Sequence, residues 1–318
     1  MPGMEPPAGS PAAEARRLGV VPYLRQLAGN RVLTGQHNRQ PLADPSRWTR
    51  RAHELTGERP ALWGSDCQFE LAEVAHRDGM GDEAISQWEA GSLVCLGWHA
   101  CPPTTAEPCE WDRDIKARLS DEDWVDLLSP GSRVHEAWIA RLDTVVPHLR
   151  RLLDAGVALL WRPLHELNET AFWWGGRRGH GGSRELYLLT HDYLTAQGLT
   201  GLTWVFSLDD WCPPLEYSDY DPGPQVAEVV SLDVYRGRFP SAAEYGQLRA
   251  VAGRRPLLLG EVASVPRVDD LAAQAEWAGW MVWAEYLDDP AHNDPHLVQD
   301  TYAAGRSVTR DGQRRPAP

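Results

Sequence analysis

Eight short apolar runs recur along the chain, each bounded by turn residues and separated from the next by a helix-like or loop-like stretch. They are RVLTGQ (31–36), PALWGSD (60–66), SLVCLGW (92–98), VALLWRPLHE (157–166), LTWVFS (202–207), EVVSLDVY (228–235), RPLLLGE (255–261) and WMVWAEY (280–286). Runs that are apolar on both faces read as strands covered on both sides, the habit of a parallel sheet. Amphipathic stretches lie at 46–57, 82–91, 134–156, 183–198, 241–253, 269–279 and 294–305. Several open on Ser or Asp and end at Gly, which is helix-capping chemistry. This alternation constrains the chain to an α/β fold, a single (β/α)8 TIM barrel with long βα loops. An open doubly wound sheet is the competing arrangement. No Gly-rich phosphate loop follows the first run, which removes the usual reason to choose it.

The 318 residues suit one large barrel. The expected catalytic domain is 16–307. The Pro/Ala/Gly-rich segment 1–15 and the tail 308–318 are expected to be disordered, and the connection 208–227 reads as mostly loop.

A formal charge of −14 argues against nucleic acid and anionic membrane surfaces as partners. No apolar run approaches the ~20 residues a membrane-spanning helix needs. MPGMEPPAGSPAAEARRLG lacks the apolar stretch of a secretory signal. As it stands the chain is therefore expected to be cytoplasmic, and secreted if its true N-terminus differs. The five cysteines match no zinc spacing. Cys101 and Cys109 flank a Pro-rich loop and either pair in an oxidising compartment or stay free thiols.

Tryptophan is the compositional outlier, with 15 Trp against four Phe. Indole faces are electron-rich and attract the C–H faces of sugar rings. Some of the indoles must instead fill the core.

In a barrel the chemistry gathers at the C-terminal ends of the strands. Here the strand bodies are apolar and the ends are polar or aromatic. The runs end, in order, at Gln36-His37-Asn38, Asp66, Trp98-His99, His165-Glu166, Ser207-Leu208-Asp209, Asp233-Val234-Tyr235, Glu261 and Trp283-Ala284-Glu285. Glu166 and Glu261 close the fourth and seventh runs, so their carboxyls can flank one bound linkage. A protonated carboxyl and an ionised one on either side of a glycosidic bond are the machinery of glycoside hydrolysis. Period-two alternation puts Leu160, Arg162, Leu164 and Glu166 on one face, with Arg162 beneath Glu166 and His165 of opposite parity. A buried guanidinium there keeps a nearby carboxylate ionised.

The supporting candidates are His99, which otherwise caps or packs, and Tyr235, a donor to the nucleophile. Asp233 either binds a sugar hydroxyl or holds Arg162. Trp283 is a floor under the reacting sugar, and Trp173 and Trp174 are either platform or loop core. His37, His99 and His165 stand on separate runs with no H-E-x-x-H spacing, and no G-x-S-x-G elbow occurs. No metal and no cofactor are expected.

The stretch WRPLHELNETAFWWGG (161–176) resembles glycoside hydrolase family 26, the family of β-mannanases that also holds β-1,3-xylanases and mixed-linkage glucanases. The matching residues are Arg162, Pro163, His165 and Glu166, then Phe172, Trp173, Trp174 and Gly175. Weaker likeness runs through LTGQHN (33–38), Trp98-His99, the PG…VSLDVY segment (222–235) and LLLGEVAS (257–264), covering about 30–305. The resemblance implies a barrel and double-displacement hydrolysis with retention. Glu166 would be acid/base and Glu261 nucleophile, with His99, His165, Asp233, Tyr235 and Trp283 lining the site. It also implies a β-mannan, manno-oligosaccharide or related β-glycan as substrate. The chain is expected to act as a monomer.

Glu169 and Ala171 depart from the family, whose members commonly carry Gly and Trp there. This leaves the particular glycan open. Two alternatives stay open beside the hydrolase: a transglycosylase or glycosidase acting on a specialised-metabolite glycoside, and a non-catalytic carbohydrate-binding barrel.

Overall fold

The computed structural model describes residues 4–39 and 41–311. Eight parallel strands close into a barrel with helices between them. Strand β1 has two pieces, Val32–Leu33 and Gly35–His37. The others are β2 Leu62–Asp66, β3 Leu93–Trp98, β4 Leu159–Pro163, β5 Thr203–Asp209, β6 Val229–Val234, β7 Leu257–Val262 and β8 Trp277–Val282. Closure runs through β8, which pairs with β7 on one side (Leu257 with Trp277) and with β1 on the other (Gln36 with Val282). Every residue of these strands is buried, which explains why the runs read apolar on both faces.

Helices Arg47–Thr56, Arg77–Glu89, Arg133–Asp154, Ser183–Ala196, Ala242–Ala252 and Pro295–Ala303 match the amphipathic stretches. Their N-caps explain several starts. Ser132 accepts from His135 N, and Ser241 forms a capping box with Glu244.

The eighth run departs from the sequence reading. Its strand is Trp277–Val282, earlier than 280–286, and Ala284–Asp288 is a 3₁₀ turn. The helix read at 269–279 stops at Ala273, the end of Val268–Ala273. Ala-rich spacing favoured a longer helix, but pairing with β7 and β1 claims Trp277 onward.

Both termini are also more ordered than the sequence suggests. Pro11–Leu18 is a helix capped by Ser10, and Ala12 N donates to Gly91 O at 3.0 Å. Ser307–Val308 (β9) pairs with Val32–Leu33. Residues 1–3 and 312–318 of the two expected disordered segments lie outside the described residues.

After β3, a Cys101–Cys109 disulfide closes a short loop, and a π-helical turn, Trp111–Ile115, and helix Asp121–Leu127 follow before Arg133–Asp154. The connection 208–227 holds a 3₁₀ turn, Pro214–Asp219.

Candidate active site

Three acids share one rung of the sheet. Asp209 of β5 is in register with Asp233 of β6, and Asp233 with Glu261 of β7. The last pairing depends on a register shift. Leu232 faces Leu259, and the extra residue Gly260 then lets Asp233 face Glu261. A Cβ on Gly260 would lie 2.6 Å from Asp233 Oδ1 and 2.9 Å from Ser231 Oγ, so only glycine fits this crossing.

Arg162 rises from β4 into the rung. Its Nη1 donates to Asp233 Oδ2 at 2.6 Å and to Ser207 Oγ at 3.2 Å, and its Nη2 donates to Glu261 Oε1. Ser207 Oγ donates to Asp233 Oδ2 at 3.0 Å. Tyr235 donates its hydroxyl to Glu261 Oε2 at 2.6 Å. Glu261 is thus held at both oxygens by donors.

Glu166 reaches the same point by a different route. Strand β4 ends at Pro163, and Leu164 and Glu166 take positive φ values of 50° and 51°. Strand parity therefore does not carry Glu166 into the cleft; a left-handed turn does. Non-glycine residues hold this conformation only where packing imposes it, and such strain concentrates at functional sites. Trp174 Nε1 donates to His165 O at 2.8 Å, and Leu167 N to Ser207 O at 3.0 Å, pinning the turn from both sides.

One carboxylate oxygen from each of Glu166, Asp233 and Glu261 lies within 4.8 Å of the others. Arg162 bonds two of the three and not Glu166. Burial, then the charges of Asp233, Glu261 and Asp209, raise the Glu166 carboxyl well above the ordinary range, with Arg162 pulling weakly the other way. Burial also pushes Asp233 up, against Arg162 and with Glu261. The proton this cluster retains belongs on Glu166, the member without a bonded cation. Three such carboxyls are close enough to share a metal ion. The guanidinium already supplies positive charge to two of them.

His165 and His37 stay neutral around this cluster. His165 is driven well down by burial, then by His99 and Arg162. His37 is driven down to about 3 by burial, then by Arg162. His99 Nδ1 lies 2.9 Å from Asp66 Oδ2, the acceptor that orients the ring. The His99 and His165 rings meet edge to face at 4.3 Å. Trp283 stacks on His37 with centroids 4.0 Å apart.

A cleft of about 280 Å³ opens over these groups, lined by Glu166, Glu261, Tyr235, His99, His165 and Trp283 among others. A second lobe of about 220 Å³ continues past His99, Trp111 and Trp283 to Arg39, Gln68 and Phe69.

Of the residues singled out in the sequence, Arg162 and Asp233 sit beneath the cleft, and Glu166 and Glu261 face it. Trp173 and Trp174 do not form a platform. Both are fully buried behind the wall. Trp173 Nε1 donates to Ala100 O at 2.7 Å, and Trp174 stacks on Phe172 at 4.5 Å. Their role is to support the wall, with Phe172 and not either indole lining the cleft. Sequence reasoning missed Trp111, Lys116, Trp211 and Tyr286 as cleft residues. Trp211 had a usable signal, since it stands two residues beyond Asp209, the end of a strand. Tyr286 was hidden by the misplaced eighth strand.

The model of "Glycosyl hydrolase family 26" matches residues 9–312 of the chain. A mannan endo-1,4-beta-mannosidase of Thermothelomyces thermophilus is 29% identical over 314 residues, which takes in 95% of this chain and 62% of that protein. A protein of the same name from Bacillus subtilis (strain 168) is 27% identical over 277 residues, 80% of this chain and 72% of its own length. The structure of GH26A from Muricauda sp. MAR_2010_75 superposes with a TM-score of 0.87 at 31% identity, covering 93% of this chain and 96% of that one. The chain spans less than two thirds of the Thermothelomyces protein's length.

Proposed function

Because the chain belongs to glycosyl hydrolase family 26, we propose that it hydrolyses β-linked mannan and manno-oligosaccharides with retention of anomeric configuration. The spacing of the carboxyls carries this reading. Retaining enzymes set the two groups ~5–5.5 Å apart, while inverting enzymes need ~6.5–9.5 Å to admit a water. One carboxylate oxygen of Glu166 lies within 4.8 Å of one of Glu261, a close approach that supports the retaining arrangement.

Glu166, kept protonated by its burial and its acidic neighbours, gives its proton to the glycosidic oxygen as that bond breaks. Glu261, held by Arg162 and Tyr235, attacks the anomeric carbon and forms a glycosyl ester. Glu166, now ionised, takes a proton from water. The hydroxide equivalent attacks the anomeric carbon and releases Glu261. Neutral His165 lines the cleft and offers a ring nitrogen to a sugar hydroxyl. Trp283 offers the ring under the reacting sugar. The Cys101–Cys109 bond supports work in an oxidising compartment.

The test is hydrolysis of mannan, glucomannan and manno-oligosaccharides, beside β-1,3-xylan and mixed-linkage glucan, with the anomer released followed by NMR. Mannan-type substrates giving the β-anomer first is the expected result. Cleavage confined to another glycan, or release of the α-anomer, contradicts the reading.

A further inference from the structure

Trp211 stands out among the exposed side chains. The large apolar residues left open to solvent among those described are Met4, Leu71, Val125, Trp211 and Val268, and Trp211 is the one aromatic. Its indole is 60% exposed while it lines the same cleft as Glu166. An indole left open at the rim of a cleft forgoes burial that a ligand face can restore.

The backbone beneath it is fixed. Asp209 Oδ1 accepts from Trp211 N at 2.6 Å and from Cys212 N at 3.0 Å. The turn is also fastened to the loop that follows Glu166. Asp209 N donates to Asn168 Oδ1 at 2.8 Å, Asn168 Nδ2 donates back to Asp209 O at 3.1 Å, and the Cys212 thiol lies 3.0 Å from Asn168 O. Trp211 and Glu166 are therefore placed by one rigid double loop at the ends of β4 and β5. Glu169 and Ala171 line the cleft on the same loop, and Ala171 offers no aromatic face there. Trp283 comes from the opposite side of the barrel, after β8.

A general acid must sit beside the leaving oxygen, so the leaving sugar lies on the side of the Glu166 loop. We propose that Trp211 is a stacking platform for a sugar unit on the leaving-group side, and that it sets the enzyme's preference for substrates whose leaving portion is itself a sugar chain. This rests on the hydrolase reading above and deepens it. An indole face meets the C–H face of a pyranose, and no charged group is needed. Trp211 touches the leaving sugar and takes no part in proton transfer or attack.

Two substrates isolate this contact. Mannopentaose carries sugar on both sides of the cleaved bond. β-Mannobiosyl fluoride carries the same sugars on the Glu261 side and only fluoride as leaving group. Trp211→Ala is expected to lower the ratio of kcat/KM for mannopentaose over kcat/KM for the fluoride by about fivefold or more. Trp211→Phe should recover part of that ratio and Trp211→Leu less. Matching melting temperatures for the variants show that the fold is kept. An unchanged ratio in Trp211→Ala overturns the platform and leaves the hydrolase reading intact. Failure of the unmutated enzyme to cleave either substrate overturns the hydrolase reading and the platform with it.

Discussion

The buried guanidinium of Arg162 donates from Nη2 to Glu261 Oε1 and makes no bond to Glu166. Its Nη1 donates to Asp233 Oδ2 at 2.6 Å. One cation thus serves two acids and leaves the third to hold a proton. The two carboxyls sit in opposite surroundings, one bonded to the cation and one without it, as the proposed two-step reaction requires. A buried ion pair of this kind is weak evidence of stability, because desolvation offsets much of its attraction. Its value lies in fixing the orientation of Glu261.

The raised Glu166 carboxyl has a consequence for pH. Its folded-state value lies above the unfolded one, so the folded chain keeps a proton that the unfolded chain releases above about pH 4.3. Stability from that proton is fully present below the unfolded value and is lost as pH rises toward the folded one. Glu166→Gln mimics the protonated form at every pH. Its melting temperature is expected to match wild type near pH 4 and to exceed it at pH 7 by about 1–3 °C, measured by scanning calorimetry. The alkaline limb of kcat/KM against pH should likewise lie above the usual carboxylate range.

Tyr235 contributes one hydrogen bond to Glu261, at 2.6 Å. A bond to an ionised group is worth ~1.5–3 kcal/mol. Tyr235→Phe is therefore expected to lower kcat about 10- to 100-fold and to lower the melting temperature by a few degrees. Steady-state kinetics on manno-oligosaccharides beside a thermal melt reads both.

Gly260 marks where the strand register turns one acid toward another. Gly260→Ala drives a methyl to 2.6 Å from Asp233 Oδ1, within the bonding sphere of Arg162. A cost of about 1–3 kcal/mol is expected from overpacking, with a loss of activity larger than the loss of stability suggests. Gly79→Ala, where nothing lies within 4 Å of the new methyl, is the control and should be neutral or stabilising. Urea unfolding and initial rates of both variants provide the check.

Much of this site was readable as strand ends. Glu261, Asp233 and Tyr235 close runs whose bodies are continuous apolar residues, and Arg162 sits one alternation inside its run, where period two points it inward. Glu166 was identified by the same logic although the logic does not hold there. Its side chain is delivered by positive-φ turns at Leu164 and Glu166, which no alternation pattern encodes. The sequence leaves Trp173 and Trp174 open as either platform or loop core, and hydrogen bonds to Ala100 O and His165 O turn both inward as loop core. The eighth strand was displaced because Ala-rich helix spacing ran into a strand whose existence depends on partners far away in sequence. Trp111 and Trp211 belong to long loops whose path is set by a disulfide and by the Asn168–Asp209 bonds.

The division of labour between the two carboxyls is tested most directly by trapping the intermediate. Incubation with a 2-deoxy-2-fluoro-β-mannosyl fluoride should inactivate the enzyme with a mass gain of one fluorosugar. Peptide mapping should then place the sugar on Glu261. A label on Glu166 or any other residue, or steady hydrolysis with inversion and no covalent adduct, would contradict the assignment.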